Sequence, residues 1–229
     1  MKWKGRRSSD NVTDRRGQTV RNTAAGGAIL SLVGRRFGFK GIMVLIVVVG
    51  FLWFTGLVDP SAFLGGGTTS TNSNYQPTAA EQERYDFVTV VLADTEDIWQ
   101  AEFRQRGAQY REPQLVIYTG STNTGCGTGQ AAMGPFYCPP DQTIYVDLSF
   151  YDELAKTFQA PGDFAQAYVI AHEVGHHVQN LLGTSGKVQS RRGQPDYNQW
   201  SVRLELQADF YAGLWAKKNS RYLDQGDIE

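Results

Sequence analysis

The run from Gly41 to Val58, GIMVLIVVVGFLWFTGLV, holds 18 residues and no charge. As a helix rising 1.5 Å per residue it reaches about 27 Å, close to the hydrocarbon thickness of a bilayer. Trp53 and Phe54 stand near its outer end, where aromatic rings favour the interface. Core helices of water-soluble domains seldom run this long without a polar stripe, so the pattern predicts one transmembrane helix. A cleavable signal peptide has a short basic region, and small residues in an A-x-A-like pattern follow its apolar stretch. Here 40 residues precede the run and Asp59-Pro60-Ser61-Ala62-Phe63 follows it, so the span reads as a retained anchor.

Charge gives the span a direction. Residues 1–40 carry ten Lys/Arg against Asp10 and Asp14, a local balance of +8, while the rest of the chain has 12 basic and 21 acidic side chains. By the positive-inside rule the basic arm predicts a cytoplasmic N-terminus, with everything after Val58 outside a bacterial inner membrane. Adjacency to the span accounts for the arm without a nucleic-acid partner. Ala24–Val33 is apolar but too short to span. With 41% hydrophobic and 20% charged residues in 229, wholesale disorder and collagen-like repeats are excluded, and a mean hydropathy of −0.37 excludes a multi-span protein.

Beyond the span, Leu64–Asn74 is rich in Gly, Ser and Thr and reads as part of a flexible linker over 59–77. The domain then occupies 78–229. Thr78 with Glu81 three residues on forms a capping-box pattern, and Tyr85, Val88, Leu92, Trp99 and Phe103 recur at helical spacing until Gly107. Gln114–Tyr118 and Thr143–Asp147 read as short strands, and Ser149 as the cap of a helix through Phe158. Between the strands, Cys126 and Cys138 lie twelve positions apart outside the cytoplasm, most simply as a disulfide closing a Gly-rich loop.

All three histidines fall within Ala171-His172-Glu173-Val174-Gly175-His176-His177. The segment from Gly162 to Gly183 reads as a helix with Asp163 as its cap. On it His172 and His176 face the same way, one turn apart, so both imidazoles can meet one zinc ion at about 2.0–2.1 Å. Glu173, rotated by about a hundred degrees, does not ligate but can reach a water on the metal. A second helical segment, Trp200–Gly213, places Glu205 and Asp209 four apart amid Leu204, Ala208 and Ala212. Carboxylates among apolar residues are expensive to bury unless paired or metal-bound. Glu205 as third ligand completes the His2Glu set of catalytic zinc sites, and Asp209 can take the remaining ring N–H of a ligand histidine. His177, adjacent to His176, points away from the metal.

These residues resemble the neutral zinc metallopeptidase family of membrane proteins. The likeness runs from Trp3–Arg7 and Ser9–Gly17 through Thr124–Gly127, Gly134–Pro139 and Tyr145–Phe150 to His172–Asn180 and Glu205–Asp209. It implies His172, His176 and Glu205 as zinc ligands, Glu173 as catalytic acid/base, and an α+β fold. That fold is a mostly helical, zincin-like domain of gluzincin type with a small sheet, preceded by one transmembrane helix. Members generally continue past Gly226–Glu229 with a helical stretch holding another His, so the likeness implies a C-terminus cut short here. Without a fourth His, Tyr197 or Tyr211 is left to steady the oxyanion in hydrolysis.

The function expected is a membrane-anchored zinc metalloendopeptidase. Water on the His2Glu-bound zinc attacks the peptide bond of a peptide or protein substrate, with Glu173 as general base. The strand Thr143–Asp147 is the expected edge for an extended peptide. Two readings compete: a zinc-binding but non-proteolytic envelope module acting as scaffold or partner, and an anchored binding domain without metal.

Overall fold

The computed structural model describes residues 1–21, 68–71, 74–157, 159–160 and 162–227. The apolar runs at 24–33 and 41–58, and with them the expected span, lie outside the described residues. Among those described, no helix is long and apolar enough to cross a membrane. The chain divides into two units, one of Met1–Gly17 with Ser73–Glu229, the other of Gln18–Asn72.

The elements run β1 (Val12–Arg15), β2 (Gln18–Arg21), β3 (Thr68–Thr71), α1 (Ala79–Gln105), β4 (Gln114–Tyr118), β5 (Ser121–Thr124), β6 (Gly127–Gln130), β7 (Phe136–Cys138), β8 (Thr143–Asp147), α2 (Phe150–Lys156), α3 (Asp163–Leu181), α4 (Thr184–Gln189) and α5 (Tyr197–Lys218). The fold class is α+β.

In the larger unit a four-stranded sheet takes the order β1-β4-β8-β7, parallel except for the last pair. Every residue of β8 is buried, as expected of a strand paired on both sides. This corrects the expectation that Thr143–Asp147 is a free edge. The edges are β1 and β7. Alternation along the strands sorts side chains between two layers: Leu115, Ile117, Ile144 and Val146 join the main core with the helices, while Val116, Tyr118, Tyr145 and Cys138 cluster on the opposite face.

α1 begins where its capping box predicts. Thr78 Oγ1 accepts the Glu81 N–H at 3.2 Å and Glu81 Oε2 accepts the Thr78 N–H at 2.8 Å, worth about 1 kcal/mol. Its Val88, Val91 and Leu92 are fully buried. Two other caps differ from expectation. Ser149 already has helical backbone angles (φ −65, ψ −21), so its hydroxyl cannot cap, and its N–H donates instead to Asp147 Oδ1 at 2.9 Å. Asp163 is the first residue of α3 rather than its cap, and its carboxylate faces the Met1 amine at 3.7 Å.

The largest departure concerns the N-terminus. β1 pairs with β4 in register from Val12↔Leu115 to Arg15↔Tyr118, so residues 1–17 belong to the same body as 73–229. The division into a separate arm over 1–40 and a domain opening at 78 is corrected accordingly. Trp3 meets Phe87 edge-on with ring centroids 5.5 Å apart, and the Ser9 N–H donates to Thr89 O at 3.0 Å. Arg6 binds Asp94 through both guanidinium nitrogens, and Arg7 donates to Glu96 at 3.1 Å and Asp97 at 2.8 Å. Asp94 and Glu96 are 6% and 2% exposed. A buried carboxylate stripped of such partners typically costs about 3–5 kcal/mol.

In the smaller unit β2 and β3 pair antiparallel, Gln18↔Thr71 to Arg21↔Thr68. The Thr-rich tract read as linker thus contains a strand, because β-branched threonines suit a pleated backbone.

Candidate metal centre

α3 and α5 pack closely because each carries small residues where they meet. A Cβ placed on Gly175 would lie 2.9 Å from the Ala208 carbonyl oxygen. Ala171, Ala208 and Ala212 are buried beside it. This approach brings the α5 carboxylates within reach of the α3 histidines.

Glu205 Oε2 lies 3.4 Å from His172 Nε2 and 3.2 Å from His176 Nε2. Potential donor atoms of the three residues all fall within 4.8 Å of one another. Among the described residues this is the grouping of three or more His, Cys, Asp or Glu side chains suited to a metal ion. An ion with tetrahedral bonds of about 2.1 Å holds its ligand atoms about 3.4 Å apart, so the two measured separations fit zinc.

Both imidazoles are oriented from behind. His172 Nδ1 lies 2.9 Å from Asp209 Oδ1. His176 Nδ1 lies 2.9 Å from Gln179 Oε1. The Gln179 amide nitrogen donates to Leu204 O at 2.6 Å and Gln207 Oε1 at 3.1 Å, which fixes its oxygen toward the ring. A proton on Nδ1 of each histidine would satisfy these acceptors and leave Nε2 free to ligate a metal ion. Gln179 and Gln207 were missed in the sequence. The available signal was Gln179 at i+3 from His176 on an otherwise apolar helical face.

Glu173 is 8% exposed, and burial pushes its carboxyl up to about 8. The Tyr137 backbone N–H, donated from the free edge of β7, opposes that rise, while nearby Glu205 adds to it. His177 is fully buried and serves the scaffold. Its Nε2–H donates to Arg111 O at 2.6 Å, leaving Nδ1 to accept the Tyr137 hydroxyl at 3.0 Å. Asn180 Nδ2 donates to that hydroxyl at 3.0 Å. Burial lowers the His177 pKa and raises that of Tyr137 to about 12, so both stay neutral. This network pins β7 against α3 at Glu173.

A cleft of about 670 Å³ opens over the site, with His172, Glu173, His176 and Glu205 in its wall beside Tyr137 and Tyr197. A second, of about 360 Å³, shares His172 and Glu173. Of the two tyrosines considered for an oxyanion, Tyr197 lines the larger cleft, whereas Tyr211 packs edge-on against Trp99 at 5.2 Å. Cys126 and Cys138 form a disulfide with Cα atoms 5.9 Å apart, closing the loop between β5 and the end of β7.

Fold and site together define an α+β domain that presents two histidines and a glutamate from adjacent helices as one ligand set. The chain matches, over residues 1–229, the family described as "Putative neutral zinc metallopeptidase", and belongs to it. It is 45% identical over 235 residues to YpfJ of Escherichia coli K12, termed an uncharacterized protein, covering all of this chain and 80% of that one. It is 39% identical over 168 residues to the uncharacterized protein Rv2575 of Mycobacterium tuberculosis, covering 69% of this chain and 56% of that one. No solved structure matches it.

Proposed function

We propose that the chain is a membrane-attached zinc metallopeptidase that hydrolyses peptide bonds in the cleft over His172, His176 and Glu205. The observation carrying this reading is the donor triangle, whose 3.4 and 3.2 Å edges suit a tetrahedral ion. When bound, zinc acidifies water and polarises a carbonyl. The protein does the rest. Asp209 and Gln179 hold the imidazoles in their ligand tautomers. Glu173, buried at the cleft wall, takes a proton from the attacking water and passes it to the leaving amine, a role worth typically about 10²–10⁴-fold. Tyr197, in the same wall, is the candidate donor to the developing oxyanion. An extended substrate lies across the two clefts that share Glu173, along β7.

Attachment to a bacterial inner membrane rests on the uncharged run Gly41–Val58. The disulfide supports an oxidising, extracytoplasmic setting for the metal domain. The test is Glu173→Gln in the full chain, assayed on a peptide library with and without chelator. Zinc content should be unchanged and cleavage should fall at least about 100-fold. Unchanged cleavage removes Glu173 as the base. Stoichiometric zinc with no cleavage by the native chain favours the non-proteolytic module.

A further inference from the structure

The N-terminal 17 residues are welded to the domain that carries the candidate metal centre. Glu96, 2% exposed, receives its hydrogen bonds among the described residues from Arg7, Ser9 and Asn11. Asp94 is bound by Arg6, whose guanidinium also stacks 3.2 Å from the Tyr222 ring centroid. The Met1 amine sits 3.0 Å from Asp224, and the Lys2 N–H donates to Tyr222 O at 2.8 Å. β1 then supplies an edge of the central sheet. These contacts reach both ends of the domain sequence, and Asp94 also accepts from the Asn219 amide at 3.1 Å. They account for part of the charge only, since Arg21, Arg35, Arg36 and Lys40 also stand within about 20 residues before Gly41. Lys4, Arg6, Arg7 and Arg16 pair with Glu83, Asp94, Glu96 with Asp97, and Asp14. Those four lie too far before Gly41, or are too well neutralised, to be read as an orientation signal, which acts within about 15–20 residues of a span.

A strand cannot lie in the sheet of a domain on the far side of a bilayer. We propose that the N-terminus lies on the same side of the membrane as the metal centre. This rests on the membrane attachment proposed above and replaces the single-pass orientation expected from the basic arm. In functional terms the first 17 residues are part of the metallopeptidase domain, delivered with it to the same compartment.

The full chain is suited to a labelling test, because its two native cysteines are joined in the disulfide. Ser8→Cys and Gln194→Cys each place one thiol at an exposed position, the first in the N-terminal segment and the second in the domain. Intact cells expressing either variant are treated with a membrane-impermeant maleimide before and after permeabilisation, and carbonate-washed membranes are collected. Both thiols should react before permeabilisation. One reacting before and the other only after would overturn the proposal. If both react only after, shared sidedness stands and the extracytoplasmic placement fails. If the chain does not sediment with membranes, the anchor fails and the proposal fails with it, whereas the zinc and cleavage assays still read the metallopeptidase.

Discussion

At the scale of the residue, the site depends on tautomers. Nδ1 of each candidate ligand histidine faces an acceptor 2.9 Å away, Asp209 for His172 and Gln179 for His176. Removing such a partner typically lowers metal affinity about 10–100-fold while leaving the ligands in place. Asp209→Asn and Gln179→Leu should each show that loss in a competition titration with a zinc chelator, and an unchanged affinity would dissociate these residues from the site. Glu173 adds a pH dependence. Its carboxyl titrates near 8 in the fold against an ordinary value near 4.5. The folded state therefore holds this proton more tightly than the unfolded chain. The resulting stabilisation is complete below about pH 4.5 and is lost as pH rises towards 8. In chelator, the urea midpoint of the native chain relative to Glu173→Gln should fall across that window; a parallel pair of curves would contradict the assigned burial. This value is not legible along the chain, because Glu173 is buried where β7, distant in sequence, meets α3. His177 is similar. Its step of one residue from His176 predicts a different direction, but only the fold reveals that the direction ends on Tyr137 and Arg111.

At the scale of the element, the decisive contact is the crossing of α3 and α5. Alanine is favoured over glycine in a helix interior by about 1 kcal/mol, so Gly175→Ala should stabilise an isolated α3. Here the added methyl meets the Ala208 backbone at 2.9 Å, and backbone cannot rotate away. The overpacking, typically about 1–3 kcal/mol, outweighs the propensity gain and drives Glu205 off the histidines. Gly175→Ala should lower both the melting temperature and the zinc affinity; a stabilised variant with native zinc affinity would show that the helices are not held at this distance. Elements with local signals were legible in the sequence: the capping box of α1, the hydrophobic periodicity of α1 and α3, and the β-branched runs of β4 and β8. β1 was not. Three of the four residues in its Val-Thr-Asp-Arg sequence are polar, and its pairing with β4 starts at Leu115, so nothing nearby marks it as a sheet strand. β7, three residues long, was hidden inside a Gly- and Pro-rich loop.

At the scale of the whole molecule, the metal domain is closed by distant parts of the chain. The N-terminal segment completes the sheet at one edge, and the disulfide ties the loop before β7 at the other. Cross-linking two cysteines twelve positions apart removes unfolded-state entropy worth about 3 kcal/mol on the chain-entropy model. Reduction, or the Cys126→Ser/Cys138→Ser pair, should lower unfolding stability by roughly that amount. It should also loosen the edge that donates the Tyr137 N–H to Glu173. No shift in the denaturant midpoint would mean that the bridge closes a loop the fold already holds. Composition and charge separated an apolar run from a polar domain, but a charge count does not distinguish a free basic arm from side chains paired with buried carboxylates, as Arg6 and Arg7 are with Asp94 and Glu96.

The proposed function stands on one zinc ion held by His172, His176 and Glu205. Its most direct test is zinc content with X-ray absorption at the zinc edge, on the full chain beside His176→Ala and Glu205→Gln. The native chain should bind one zinc per chain through two imidazole nitrogens and a carboxylate oxygen at about 2.0–2.2 Å, and each variant should lose that ligand from the shell. A native chain without zinc, or variants whose zinc shell is unchanged, would contradict it.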